Sequence, residues 1–421
     1  MTTPAPAPGR SALVRVVAAR NAVLVVFALA GVAFAAWASR IADAKAALGM
    51  TAGELGITLF AASGGSLLAM PSTGRIVRRF GVTRSIGVGV AVGAAGLVIA
   101  GAGVDLAASR VLLAAGLFLT GLGIGVWDVS MNLEGATVER HLGRNVMPHF
   151  HAAFSGGTVV SALVGAGLSW AQVPVVAHLA GVMVLVLLGM GWALPRFLPD
   201  DEGAGNVADA RGAVDGSGAA AGRRPRSAWR ERRTLLIGLV VFVAAFTEGT
   251  ANDWLAVGFV EGHDLPAWAG VLAFATFLAF MTLGRLVGTR LLDRHGRVPV
   301  LRVTFAAAAA GSLLVVFGSG WLAYVGAAVW GLGVSLGFPV GMSASADDPE
   351  RAAARMPVVA TLGYTAFIAG PPALGFLGDH YGVLHSLLAV GAMVALVLLA
   401  LPAVREPAAA REAARARAGA R

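Results

Sequence analysis

The sequence predicts an all-α membrane protein, with twelve transmembrane helices in two six-helix bundles. Three observations predict it. First, the 421 residues are 57% hydrophobic and only 13% charged, with a mean hydropathy of +0.76. Soluble domains carry about a quarter charged residues, and disordered chains are more polar still. Second, the apolar residues gather into runs near the ~20 residues that a spanning helix needs. Third, the basic residues fall between alternate runs.

Taken in order, the runs cover roughly 20–39, 55–74, 85–103, 111–132, 148–170, 173–195, 235–258, 267–289, 299–318, 321–342, 357–378 and 382–403. Ala36-Trp37-Ala38 resembles a signal-peptide cleavage site, but the first run is too long and further runs follow it, so it is expected to stay as a span. The connection 196–234 holds Asp200, Asp201 and Glu202, then Gly/Ala/Ser-rich sequence, then Arg223-Arg224-Pro225-Arg226. That composition reads as a flexible linker. Its arginines anchor topology or bind anionic lipid. The expected organisation is a cytoplasmic N-terminus (1–19), a first bundle (20–195), a cytoplasmic linker (196–234), a second bundle (235–403) and a cytoplasmic tail (404–421).

Lys45 is the only lysine among 32 basic residues, and the net charge is +9. With the N-terminus inside, 28 basic residues lie on the inner side and three (Arg40, Lys45, Arg110) on the outer, with Arg285 within a run. That bias places both termini in the cytoplasm. The same scattering between spans argues against nucleic-acid binding. Cysteine is absent, which excludes disulfides, thiolate metal sites and cysteine nucleophiles. The Gly-rich stretches Gly121–Gly125 and Gly331–Gly337 follow no strand and lack GKS/T, so they suit close helix packing rather than phosphate. No Walker, G-x-S-x-G or HExxH pattern occurs. The reading is of a non-enzyme without cofactor or metal.

The halves resemble each other. Arg78-Arg79-Phe80-Gly81 follows the second run and Asp293-Arg294-His295-Gly296 the eighth; Gly121-Leu122-Gly123 lies in the fourth run and Gly331-Leu332-Gly333 in the tenth, at nearly the same spacing. An internal duplication of six helices is a transporter pattern, with the solute site between the halves.

These residues resemble the major facilitator superfamily over about 20–403. The superfamily's loop motif after helix two is G-x-x-x-D-R-x-G-R. Here Gly74 to Gly81 carries Arg78 in place of the aspartate, while the second copy keeps Asp293-Arg294-His295-Gly296-Arg297. The resemblance implies gating roles for Arg79, Asp293 and Arg294. Further markers are Trp37-Ala38-Ser39-Arg40-Ile41, Asp128-Val129-Ser130-Met131-Asn132, Phe150-His151-Ala152-Ala153-Phe154-Ser155, Glu248-Gly249, Asp253-Trp254 and Thr361-Leu362-Gly363-Tyr364 with Gly370-Pro371-Pro372. Together they resemble the rhizopine-transporter-like (MosC-like) branch, a relative of the fucose permeases. Asp128 and Asn132 match the fucose permeases' acid and Asn four residues apart on helix four.

Ionisable groups within spans are costly and are functional candidates by default. Asp128, in the inner half of the fourth run, is the expected proton-coupling acid, because burial penalises its charged form. Asn132 shares its face at i+4 and is expected to bind solute. Glu248 lies about 20 Å into the seventh run and Asp253 about 27 Å, near the outer boundary. Glu248 is a coupling and solute-binding candidate; Asp253 is expected to cap or gate the outer end beside Trp254. Arg285 either pairs with an acid or reaches the inner headgroups. Glu134 and Glu139 with Arg140 and Arg144 form an inner-gate ion-pair cluster or stand in a solvated loop, and Glu139 and Arg144 are expected as gating residues. His151 and Tyr364 are solute-contact candidates, Tyr364 because prolines break its helix nearby. His178 reads as a packed polar residue.

The functional expectation is proton-coupled symport of a small sugar- or polyol-like solute by alternating access. A proton-antiport exporter is the rival, weakened because Ser155-Gly156-Gly157-Thr158-Val159-Val160 lacks the proline of the antiporter motif on helix five. A transport-inactive receptor is a second, disfavoured by its costly acids. The expected partners are solute, protons and the lipid bilayer, in a monomer of the inner (plasma) membrane.

Overall fold

A computed structural model describes residues 10–143, 146–199 and 227–406. Arg144, the linker stretch 200–226 with its arginine tract, and the tails 1–9 and 407–421 lie outside the described residues. Among those described, eleven helices are long and apolar enough to cross a membrane, and Val383–Leu398 is a shorter apolar twelfth.

The first span is Arg10–Ala38, followed by a short helix Ile41–Ala47. The next five are Ala52–Phe80, Val82–Asp105, Arg110–Leu142, Met147–Trp170 and Val175–Ala193. The second half runs through Arg232–Gly262, Ala267–His295, Arg297–Phe317, a tenth span split into Trp321–Val334 and Gly337–Ser345, the eleventh Pro349–Tyr381, and Val383–Ser386 with Leu388–Leu398. Two faces result. The linker face carries the ends Phe80, Leu142, Ala193, Arg232 and His295. The opposite face carries Ala38, Ala52, Asp105, Gly262 and Ala267.

Local chemistry sets the ends. Thr51 and Glu54 form a capping box, with the Glu54 amide donating to Thr51 Oγ1 at 3.2 Å and the Thr51 amide to Glu54 Oε2 at 2.9 Å. Gly81 and Gly296 turn the chain after the second and eighth spans at φ 81° and 79°, which only glycine adopts without strain. The fourth span runs ten residues past its expected end at 132, because 33 residues extend about 50 Å while the hydrocarbon core is about 30 Å. The break in the tenth span, expected as one run, follows from Pro339. Proline has no N–H, so the Ser335 carbonyl loses its helical donor; Arg285 Nε donates to it at 3.4 Å instead.

Glycine packing repeats between the halves. A Cβ on Gly121 would strike the Ala62 carbonyl of the second span, and one on Gly331 the Phe277 carbonyl of the eighth. Gly123 meets Gly89 and Gly93 of the third span; Gly333 meets Thr304 and Ala308 of the ninth. The first span meets the fifth through Gly31–Phe154 and Ala28–Gly157, and the seventh meets the eleventh through Gly249–Phe367 and Phe246–Gly370. The two halves touch chiefly where the second span packs on the eleventh and the fifth on the eighth.

Candidate functional site

A cavity of about 260 Å³ lies between the halves. At ~30 Å³ per water, that is room for roughly eight or nine waters. The first span presents Phe34 and Trp37, the second Ser63 and Ser66, the fourth Thr120 and Ile124, the seventh Gly249, Asn252 and Asp253, and the eleventh Tyr364, Phe367 and Ile368. The spacing i, i+3, i+4 on the last two helices puts each set on one face.

Asp128 and Asn132 stand outside this wall. They continue the stripe of Leu117, Gly121 and Ile124 toward the linker face, and both are half-buried. Asn132 Nδ2 donates to the Asp128 carbonyl at 2.9 Å and to its Oδ1 at 3.4 Å. No cation pairs with Asp128 among the described residues. Tyr364, 38% exposed, lines the cavity within electrostatic reach of Asp128, which links the cavity to that acid.

Glu248 is neutralised. Arg285 Nη2 donates to its Oε1 at 3.1 Å and Oε2 at 3.0 Å, so the seventh and eighth spans are tied by a charge pair. Of the two destinations open to Arg285, pairing is the one adopted. His151 is exposed, rests edge-on against Phe27 at 5.3 Å, and lies within electrostatic reach of Arg285. Asp253, expected at the outer gate, lines the cavity instead. Five residues along a helix is about 140° of rotation, which sends Glu248 to its neighbour and Asp253 to the cavity. Asn252 escaped the sequence reading. The costliness of polar groups in a span, applied there only to ionisable residues, would have flagged it.

The two faces differ. On the opposite face the halves are joined: Lys45 pairs with Glu261, and Thr51 Oγ1 donates to Asp379 Oδ2 at 3.3 Å. Deeper, Ser63 Oγ donates to the Phe367 carbonyl at 3.1 Å. That carbonyl lacks a helical donor because Pro371 follows four residues on. Gly56 and Gly375 let the second and eleventh spans meet backbone to backbone. Beneath this contact Arg40, 2% exposed, holds the turn after the first span, donating from Nε to His178 Nδ1 at 2.9 Å and from Nη1 to Asp43 at 2.8 Å.

On the linker face, the hydrogen bonds recorded among the described residues stay within each half. Glu139 Oε2 accepts the Val146 and Met147 amides at 2.7 Å each, capping the fifth span, and Glu134 accepts from the Leu198 amide at 3.0 Å. In the other half Asp347 takes Arg233 at 2.7 Å and Arg297 at 2.8 Å, while Glu231 takes Arg351 and Arg355. The Arg355 guanidinium holds the Glu231 carboxyl below the usual glutamate range. Arg79, Asp293 and Arg294 are exposed and make no ion pair among the described residues. Arg79 stacks over Phe80 at 5.5 Å.

A family model of the Major Facilitator Superfamily matches residues 22–354 and 267–421. An uncharacterized MFS-type transporter of Yersinia pestis is 31% identical over 90% of this chain and 92% of its own. The membrane protein MosC of Rhizobium meliloti is 25% identical over 89% of this chain and 88% of its own, in keeping with the MosC-like markers. Among solved structures, the nucleoside transporter NupG superposes with a TM-score of 0.72 at 13% identity, over 92% of this chain and 98% of its own. The E. coli fucose:proton symporter FucP superposes at 0.59 and 15% identity, over 94% and 100%.

Proposed function

The chain belongs to the Major Facilitator Superfamily, and from that premise we propose that it is a symporter coupling a small sugar- or polyol-like solute to protons, with Asp128 as the proton carrier. The observation that carries this reading is an acid without a cationic partner among the described residues, on the helical stripe that runs from the cavity wall toward the linker face. A charged carboxylate resists the occluded state, whereas its protonated form crosses without that penalty. Asn132 steadies the acid, and Tyr364 relays its state to the cavity. The Glu248–Arg285 pair holds the seventh and eighth spans together as one moving body. Fucose and nucleosides, named for two proteins of the same fold, are both hydroxylated ring solutes.

In the conformation described the halves are joined at the opposite face, which supports a cavity that exchanges with the linker side. Its basic residues support placing the linker side in the cytoplasm of a bacterial inner membrane. The chain lacks cysteine. In intact cells an impermeant thiol reagent should label Leu106→Cys, at an exposed turn of the opposite face, and spare Gly216→Cys; the reverse pattern would refute the orientation.

The coupling test uses Asp128→Asn in proteoliposomes, with whichever of labelled L-fucose, D-xylose, myo-inositol or uridine the wild type binds. Exchange of labelled for unlabelled solute should survive, and accumulation driven by an imposed pH gradient should fall at least tenfold. Full accumulation would reject Asp128 as the carrier.

A further inference from the structure

Resting on the reading of a carrier for hydroxylated solutes, we propose that Asn252 and Asp253 form the recognition dyad: amide and carboxylate bind two adjacent hydroxyls on one edge of a neutral ring, while the ring's apolar face lies on Phe34 and Trp37.

The seventh span turns Gly249, Asn252 and Asp253 toward the cavity. Neither polar side chain of the pair has a hydrogen-bond partner among the described residues, and Asn252 Oδ1 is fully buried without one. Exchanging the amide's oxygen and nitrogen leaves that unchanged, since neither end is bonded. A buried, unsatisfied amide costs stability, and its presence asks for a ligand that completes it. Two other polar groups of the wall are already committed: Ser63 donates to the Phe367 carbonyl and Thr120 to the Gly116 carbonyl at 2.9 Å. Ser66, Trp37 and Tyr364 line the wall as well and can add hydrogen bonds to a solute that the dyad orients. Among the described residues, no lysine, arginine or histidine lines the cavity. A carboxylate accepts from a solute's donors and its protonated form also donates, a match to hydroxyls in either state, whereas an anion would meet no counter-charge. A diol fits: one hydroxyl donates to Asp253, and its neighbour exchanges hydrogen bonds with Asn252.

The duplication adds direction. Gly31 against Phe154 in the first half recurs as Gly249 against Phe367 in the second. Counting on from each glycine, Phe34 corresponds to Asn252 and Ala35 to Asp253. Two related positions thus face one cavity with opposite chemistry, an aromatic ring on one side and a hydrogen-bonding amide on the other. A solute between them is held in one orientation, its hydroxyl edge toward the second half.

The experiment uses the full chain in detergent micelles. Thermal melting is followed with L-fucose, D-xylose, myo-inositol and uridine, and the responding solute is then titrated against wild type, Asn252→Leu and Asp253→Asn. Without solute, Asn252→Leu should melt no lower than wild type, because an unpartnered polar group has been removed. Affinity should fall at least tenfold in both variants. A deoxy analogue lacking one hydroxyl of the edge should bind wild type at least tenfold more weakly and lose little more on Asn252→Leu. Unchanged affinity in either variant, or a lower melting temperature of solute-free Asn252→Leu, would overturn the dyad and leave the transport reading standing. If none of the four solutes shifts the wild type, the hydroxylated-solute reading and the dyad fall together.

Discussion

The two halves of the molecule share a packing plan and differ in their chemistry. The second and fourth spans meet through Gly121 and the Ala62 carbonyl, and the eighth and tenth repeat the contact through Gly331 and Phe277. The polar groups do not repeat. Positions corresponding to Glu248 and Arg285 in the first half are Ala30 and Met70, and the position corresponding to Asp128 in the second is Phe338. Close packing constrains backbones, which both copies need. Under the proposed function, proton and solute chemistry would need only one copy of each group, and every further buried charge would add desolvation cost.

The largest expected effect tests the shared plan. Gly121→Ala and Gly331→Ala each force a methyl into a neighbouring carbonyl, and overpacking costs about 1–3 kcal/mol or more. Both variants should lose most of their monodisperse yield in size-exclusion chromatography. Gly156→Ala and Gly391→Ala, where no atom lies within 4 Å, should keep it. A large loss in one half alone would break the equivalence.

Next comes the difference between halves. Arg285→Met leaves Glu248 without its cation. Removing one partner of a fully buried pair costs about 3–5 kcal/mol. Here Arg285 is 32% exposed, so roughly 2 kcal/mol is expected as a lowered melting temperature in detergent. Combining it with Glu248→Ala, which restores the first half's residues at both positions, should recover most of the loss. Failure of the double variant to recover would show that the site had adapted around the pair itself.

The smallest effect lies at the linker face, where the second half uses ion pairs and the first caps amides. Glu231 has its carboxyl held below the ordinary value of 4.5, first by its hydrogen bond from Arg355. A depressed acid stabilises the fold fully above its unfolded value and loses that contribution as pH falls through the folded one. Wild type should therefore lose stability below about pH 4.5 relative to Glu231→Gln, while at pH 7 the variant should be less stable by on the order of 1 kcal/mol. Parallel melting curves at all pH values would remove Glu231 from the network's energetics.

Much of this was legible along the chain. Hydropathy placed the spans, because lipid demands apolar runs of a fixed length. It placed their ends less well, since helices such as Ala52–Phe80 continue past the apolar run, where composition no longer marks them. Asp128 and Asn132 share a face by helical period alone. The Glu248–Arg285 pair was open because the contact joins two helices, and local period says nothing across a turn. Asn252 was overlooked because it carries no charge. The break at Ser335 needed Pro339 to be read against its carbonyl four residues back.

One contact carries a consequence for rate. Pro371 deprives the Phe367 carbonyl of its own helix's donor, and Ser63 of the other half supplies the replacement. Under alternating access, parting the opposite face removes that hydroxyl, and the carbonyl must find a water in its place. On the proposed mechanism, each turnover would then hydrate and dry one peptide group. The reorientation step should slow as osmolytes lower water activity, and an isotope-edited amide band at Phe367 would follow the carrier's direction in real time.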